Sequence, residues 1–280
     1  MRILVTGAGG MLGHELVETF ADHEVTGTTH AQLDVTERAA VLDCFDALRP
    51  DVVLHGAAWT AVDACEADAD RAWAVNALGT RYIAEAARRH GTRVVYFSTD
   101  YVFDGTKDSP YVEWDEPAPR SVYGRSKLAG ERECDEDATI LRISWVCGFH
   151  GANMVKTILR LAAEHPTLSF VDDQIGHPTF AADAAAMTRR IVEDHRTGVF
   201  HVTNQGAVSW FEFARAVLDA AGQDPERVQP IATSDLQPPR PAPRPANSVL
   251  DNAALRLGGV DLLPDFREPL AVVVGRLQAE

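Results

Sequence analysis

One stretch, Thr6-Gly7-Ala8-Gly9-Gly10-Met11-Leu12-Gly13, constrains this chain more than any other. It follows an apolar, β-branched run at residues 2–6 and opens a segment, 11–21, whose apolar residues recur at helical spacing. Gly7, Gly10 and Gly13 let the backbone turn tightly between strand and helix and come close to a ligand. The first amides of the helix have no intrahelical partner, so a pyrophosphate is the ligand this pattern suits. Such a turn needs a parallel sheet around it. Residues 24–28, 51–55, 92–98 and 139–143 read as further strands, alternating with helical patterns at 36–48, 71–90 and 122–134, the first expected to be capped by Thr36. This alternation predicts an α/β fold, a doubly wound, right-handed parallel sheet of Rossmann type.

After about residue 145 the rhythm loosens. Helical patterns at 153–165 and 209–221, a strand pattern at 199–203 and the proline-rich run 238–245, which fits neither helix nor sheet, predict a smaller C-terminal α/β lobe. The expected division is a nucleotide-binding domain over 1–145 and a substrate lobe over 146–280, the two interwoven. A chain of 280 residues with 46% hydrophobic content buries a core without covalent staples. Cys44, Cys65, Cys134 and Cys147 lack metal or disulfide spacing and read as small apolar residues. The formal charge of −15, with no basic run, argues against a nucleic-acid partner. No apolar run approaches the roughly 18 residues of a membrane span, and the N-terminus reaches glycine too early for a secretory segment, so the expected location is cytoplasmic.

Folds that prefer NAD place an acid at the end of the second strand, against the ribose 2′-hydroxyl. Here that position reads Thr28-Thr29-His30, which leaves room for a 2′-phosphate. NADPH is the expected cofactor, with NADH admissible, and Asp34 and Val35 fall where a loop meets the adenine. Further on, Tyr123 and Lys127 stand at i and i+4, on one helical face. A nearby cation lowers the pKa of a phenol and turns it into a usable proton donor. Ser98-Thr99-Asp100 ends a predicted strand at the carboxyl edge, where doubly wound sheets bind ligands. Hydroxyl, phenol and ammonium on a nucleotide fold constitute a short-chain dehydrogenase/reductase site.

With these motifs in place, the sequence resembles the dTDP-4-dehydrorhamnose reductases of the extended short-chain dehydrogenases. The resemblance runs through the glycine turn, Ala57-Ala58-Trp59-Thr60-Ala61-Val62-Asp63, Val75-Asn76, Ser98-Thr99-Asp100-Tyr101-Val102-Phe103-Asp104-Gly105, Tyr123-Gly124-Arg125-Ser126-Lys127, Arg142-Ile143-Ser144-Trp145-Val146, Asp173-Gln174-Ile175-Gly176-His177-Pro178-Thr179 and Arg244-Pro245-Ala246-Asn247-Ser248. It implies hydride transfer from NADPH or NADH to the C4 ketone of dTDP-4-dehydro-6-deoxy-L-mannose, giving dTDP-L-rhamnose. Tyr123 then matches the proton donor, Lys127 the ribose-binding partner that tunes it, and Thr99 the hydroxyl that orients the ketone. Cofactor contacts are implied for Gly7, Gly10, Met11, Leu12, Gly13, Asp34, Val35, Ala57, Ala58, Thr60, Asn76 and Ser98. Sugar-nucleotide contacts are implied for Tyr101, Trp145, Asp63 and Asn153, with Arg244 facing the diphosphate and Asp100 supporting the loop. Some relatives bridge a dimer through a metal, but Asp261, Asp265 and Glu268 form no recognisable cluster; no metal is expected, and a homodimer stays open. The alternatives are another nucleotide-sugar epimerase or reductase of the same fold, or a non-catalytic NADP-binding regulatory subunit. Retention of Thr99, Tyr123 and Lys127 together argues against the last.

Overall fold

A computed structural model describes residues 1–279. Runs such as Ile3-Leu4-Val5 and Val52-Val53-Leu54 have no polar face, so they need cover on both sides. The chain provides it by alternating β1 (Arg2–Thr6), α1 (Met11–Thr19), β2 (Glu24–Thr28), α2 (Arg38–Leu48), β3 (Val52–His55), α3 (Val62–Ala67), α4 (Ala69–Trp73), α5 (Gly79–His90), β4 (Arg93–Thr99), α6 (Val122–Glu133) and β5 (Thr139–Ile143). There follow β6 (Val146–Cys147), α7 (Met154–Glu164), β7 (Leu168–Val171), β8 (Ile175–Gly176), β9 (Thr179–Phe180), α8 (Ala181–Glu193), β10 (Gly198–His201), β11 (Val208–Ser209), α9 (Trp210–Ala220), β12 (Val228–Ile231), α10 (Ala253–Leu257) and α11 (Arg267–Gln278).

Six strands form one parallel sheet in the order β2-β1-β3-β4-β5-β10. Ile3, Val5, Leu16, Ile191 and Phe200 fill the face covered by α1 and α8. Leu4, Val41, Phe45, Val53 and Ile83 fill the face covered by α2 and α5. The winding reverses between β1 and β3, and the crevice outside their carboxyl ends is where such a sheet takes a ligand. Two elements from beyond residue 145, α8 and β10, belong to this body. A second core gathers Ile158, Phe213, Val217, Phe266 and Val274 from α7, α9 and α11 and the residue before α11, beside the short strand pairs β6–β9, β7–β12 and β8–β11. No described helix is long and apolar enough to cross a membrane.

Two local expectations are corrected. Thr36 does not cap α2: its N–H and hydroxyl both donate to Asp34 Oδ1, at 2.9 and 2.7 Å, and the helix starts at Arg38 without a side-chain cap. The local turn satisfies both groups before the helix can use them. The pattern at 71–90 is interrupted by a π turn, Ala74–Leu78, between α4 and α5. Cys65 and Cys147 are buried, whereas Cys44 and Cys134 are half-buried, and all four are free thiols.

Candidate active site

The glycine turn sits at the carboxyl end of β1. Gly7 has φ +71°, and a Cβ there would lie 2.8 Å from the Ala57 nitrogen, so only glycine lets the turn pass the loop after β3. Gly13 is equally confined, because a Cβ would fall 2.2 Å from the Gly7 carbonyl oxygen. Gly10 differs: φ is −82° and the nearest atom to a Cβ would be 3.2 Å away. A side chain there strains the fold less than at Gly7 or Gly13, and would stand in the way of a group resting on the turn. The start of α1 carries neither a side-chain cap nor an acid in its first turn, so its amides are free for an anion. These features fit a dinucleotide pyrophosphate.

A groove of about 320 Å³ runs from this turn across Gly9, Thr29, His30, Asp34, Val35, Ala57 and Ala58. It joins a cleft of about 570 Å³ lined by Gly10, Met11, Leu12, Gly13, Thr60, Ser98, Thr99, Asp100, Tyr101, Tyr123, Lys127 and Trp145. Asn76, expected at the cofactor, lies outside both. Its side chain binds Trp59 in both directions, accepting at 2.8 Å and donating at 3.1 Å, and donates to Ser126 at 3.0 Å, so it clamps the loop that forms the groove wall.

Ser121 caps α6 by accepting from the Gly124 N–H at 3.0 Å, and this start brings Tyr123 beside Thr99 and Tyr101. The Tyr101 and Tyr123 rings meet edge to face at 5.6 Å. Thr99 donates to Asp100 Oδ1 at 3.0 Å and accepts from the Tyr101 N–H at 3.2 Å. Burial raises the Tyr123 phenol well above its ordinary range, against a lowering by Thr99, so it is protonated at neutral pH. Lys127 donates to the Phe97 carbonyl at 2.6 Å and sits 4.1 Å from the Tyr96 ring centroid. Burial pulls its ammonium down to about 7, opposed by the Glu131 carboxylate one turn further along the helix. Ser98 donates to Glu131 at 2.5 Å, and Glu131 takes two bonds from Arg142, at 2.9 and 2.8 Å, in a buried pair. Asp100 is buried, its carboxyl pushed up to about 6 by desolvation, with Oδ2 unpartnered.

Tyr101 and Trp145 line the cleft, whereas the other residues expected at the sugar nucleotide lie outside its lining. Asp63 and Arg244 bind each other through two bonds of 2.9 and 2.8 Å, 181 positions apart, and Arg240 approaches the same carboxylate at 3.6 Å. These bonds hold the Asp63 carboxyl below its usual range, and neither residue lines the cleft. Asn153 caps α7, accepting from the Lys156 N–H at 3.2 Å and donating to the Gly148 carbonyl at 2.7 Å, so its side chain is committed to the helix start. Two groups escaped the sequence reading. Arg71 lines the groove, its guanidinium 4.5 Å from the Trp59 ring centroid. Trp210 lines the cleft and stacks on Trp145. Neither carried a signal, since each reaches the site only through long-range packing.

A doubly wound sheet with hydroxyl, phenol and ammonium at its carboxyl edge has the fold and catalytic groups of a short-chain dehydrogenase/reductase. Over residues 1–279 the chain matches the family described as the RmlD substrate binding domain, and it belongs to that family. It is 41% identical over 267 residues to a dTDP-4-dehydrorhamnose reductase of Aggregatibacter actinomycetemcomitans, covering 89% of this chain and 90% of that one. A solved dTDP-4-dehydrorhamnose reductase from Clostridium acetobutylicum superposes with TM-score 0.95 at 39% identity, covering 99% of this chain and 100% of the other. Another from Bacillus anthracis, solved in complex with NADP, gives 0.93 at 36% identity, with 98% and 99% covered.

Proposed function

We propose that this chain uses NADPH to reduce the C4 ketone of dTDP-4-dehydro-6-deoxy-L-mannose to dTDP-L-rhamnose. The observation that carries this reading is the convergence of Thr99, Tyr123 and Lys127 in one cleft, beside an acid-free helix start built for a pyrophosphate. When bound along the groove, NADPH supplies the hydride. Gly7, Gly10, Met11, Leu12 and Gly13 would hold the pyrophosphate, Asp34, Val35, Ala57 and Ala58 would border the adenosine, and Thr60, Ser98 and Lys127 would border the nicotinamide end. The Asp34 carboxylate is already engaged by Thr36, and no acid stands at Thr28, Thr29 or His30, so a 2′-phosphate would meet no fixed negative charge at the end of β2, and Arg71 in the same groove offers a cation. The Bacillus anthracis dTDP-4-dehydrorhamnose reductase, solved in complex with NADP, supports the same choice.

As the ketone carbon gains an electron pair, its π electrons pass to oxygen. Tyr123 gives that oxygen its phenolic proton and becomes a phenolate, which the Lys127 ammonium stabilises. Thr99 turns its proton from Asp100 to the same oxygen and fixes it at the phenol. Tyr101 and Trp145 flank the sugar. Sugar nucleotides and NADPH are charged, water-soluble reactants, which supports a cytoplasmic location. The test is to mix protein, NADPH and the 4-keto sugar nucleotide, follow NADPH absorbance and identify the sugar by NMR. Net oxidation with formation of the 4-hydroxy product is expected. Sugar turnover without net oxidation would mean an epimerase, and cofactor binding without turnover a regulatory subunit.

A further inference from the structure

Trp145, which flanks the sugar, has a cleft-lining partner that the reaction steps leave unused, Trp210. The Trp145 and Trp210 indoles are stacked with centroids 3.6 Å apart and planes 8° from parallel. Trp145 holds φ at +46°, a left-handed conformation that costs a bulky residue energy and persists where surroundings enforce it. Those surroundings are visible. Trp210 starts α9 directly after β11, and β11 pairs with β8 so that Gly176 faces Val208 and Ile175 faces Ser209. A Cβ on Gly176 would lie 2.7 Å from one atom of the Trp145 ring and 2.9 Å from another. Glycine at 176 therefore leaves room for the indole, and Trp210, fixed by the Ser209–Glu212 capping box, holds it flat.

Resting on the reductase reading, we propose that Trp210 is a positioning residue that holds Trp145 as the apolar wall of the sugar subsite, and that this wall selects a 6-deoxy sugar over its 6-hydroxy counterpart. The wall shares the cleft with Thr99 and Tyr123, which fix the C4 oxygen. On a 4-keto-6-deoxyhexose the carbon next to C4 carries the ring's methyl group, its most apolar part. Flat aromatic surface suits that methyl and gives a hydroxyl little in exchange for the water it loses.

The test compares the parent with Trp210→Phe, Trp210→Leu and Gly176→Ala, all checked for unchanged thermal unfolding. Binding of dTDP, dTDP-L-rhamnose and dTDP-L-mannose, which differs from rhamnose by a 6-hydroxyl, is measured by calorimetry, together with kcat and KM for the keto sugar. The parent is expected to favour rhamnose over mannose by about ten- to a hundredfold, the range for one small apolar group. Trp210→Leu and Gly176→Ala should reduce that preference to within about threefold and raise KM more than kcat falls, while dTDP binds as before; Trp210→Phe should retain part of the preference. The circular-dichroism couplet of two stacked indoles should vanish in both Trp210 variants. Equal losses for dTDP and dTDP-L-rhamnose would make the wall a nucleobase platform and overturn the proposal. So would an undiminished rhamnose preference in folded Trp210→Leu. A parent that binds dTDP but not dTDP-L-rhamnose would instead refute the reductase reading.

Discussion

Tyr123 and Lys127 are one helical turn apart in a place that resists charge on both, which suits a reductase that starts from a neutral phenol. Replacing Tyr123 with Phe removes one oxygen and keeps the ring. The expected result is a fall in kcat of about 10²- to 10⁴-fold, the usual contribution of a general acid. NADPH affinity by fluorescence titration should be unchanged; a variant keeping more than about a tenth of parental kcat, with chemistry limiting, would assign the proton to another donor. Lys127 carries its charge below about pH 7 in the free protein and loses it above. Because kcat/KM reports the free enzyme, its value for NADPH should fall as pH rises through about 7, and Lys127→Met should abolish that limb. Asp100 runs the other way in stability. Its folded pKa of about 6 lies above the ordinary 3.8, so the stability it contributes is present below about pH 4 and lost as pH rises through 6. Asp100→Asn cannot ionise, and its unfolding free energy should exceed the parent's by up to about 3 kcal/mol at pH 7, with the gain fading towards pH 4. A pH-independent difference in denaturant titrations would show that Asp100 is not held neutral by burial.

At the scale of elements, the glycine turn separates positions the fold requires from one the ligand requires. Gly13→Ala forces a methyl to 2.2 Å from the Gly7 carbonyl and should lower the melting temperature by several degrees, corresponding to more than about 1 kcal/mol. Gly10→Val stands at an ordinary φ with its Cβ 3.2 Å from the Gly7 carbonyl oxygen, and should cost less stability than Gly13→Ala while NADPH binding, read by calorimetry, is lost. Equal melting losses in both would make Gly10 structural. The distinction was not legible in the sequence, where both are glycines three residues apart. What was legible is whatever rests on local period and spacing. The strands at 2–6, 24–28 and 139–143 appear at the expected bounds, as does the Tyr123/Lys127 pair on one helix. What was not legible depends on partners far along the chain. Asp63 meets Arg244 across 181 positions, and no period in the sequence announces that the two quench each other. Thr36 failed for the opposite reason, because an acid two residues away outcompeted the helix start. Trp210 reads in sequence as an ordinary helix-start residue, and only the β8–β11 pairing carries it to Trp145.

At the scale of the whole molecule, chain order and spatial order part company. The core on the α1 face joins Ile3, Val5 and Leu16 to Ile191, Phe200, Val202 and Leu263, and half of its buried residues come from beyond residue 145. β5 lies between β4 and β10 and would become an exposed edge if the chain stopped after it. An uncovered apolar face and a bare strand edge are the features that drive aggregation. A fragment of residues 1–145 is therefore expected to be unfolded or aggregated, binding a hydrophobic dye and showing no sharp thermal transition. The intact chain should unfold in one step, with far- and near-ultraviolet circular dichroism tracing the same curve. NADPH at a hundred times its Kd should move that single transition by about 2.7 kcal/mol, the whole molecule rising together because the cleft is lined by both cores. If the fragment melts cooperatively, or NADPH lifts one of two separate transitions, the nucleotide-binding body folds independently and the interweaving of α8 and β10 is not what holds it together.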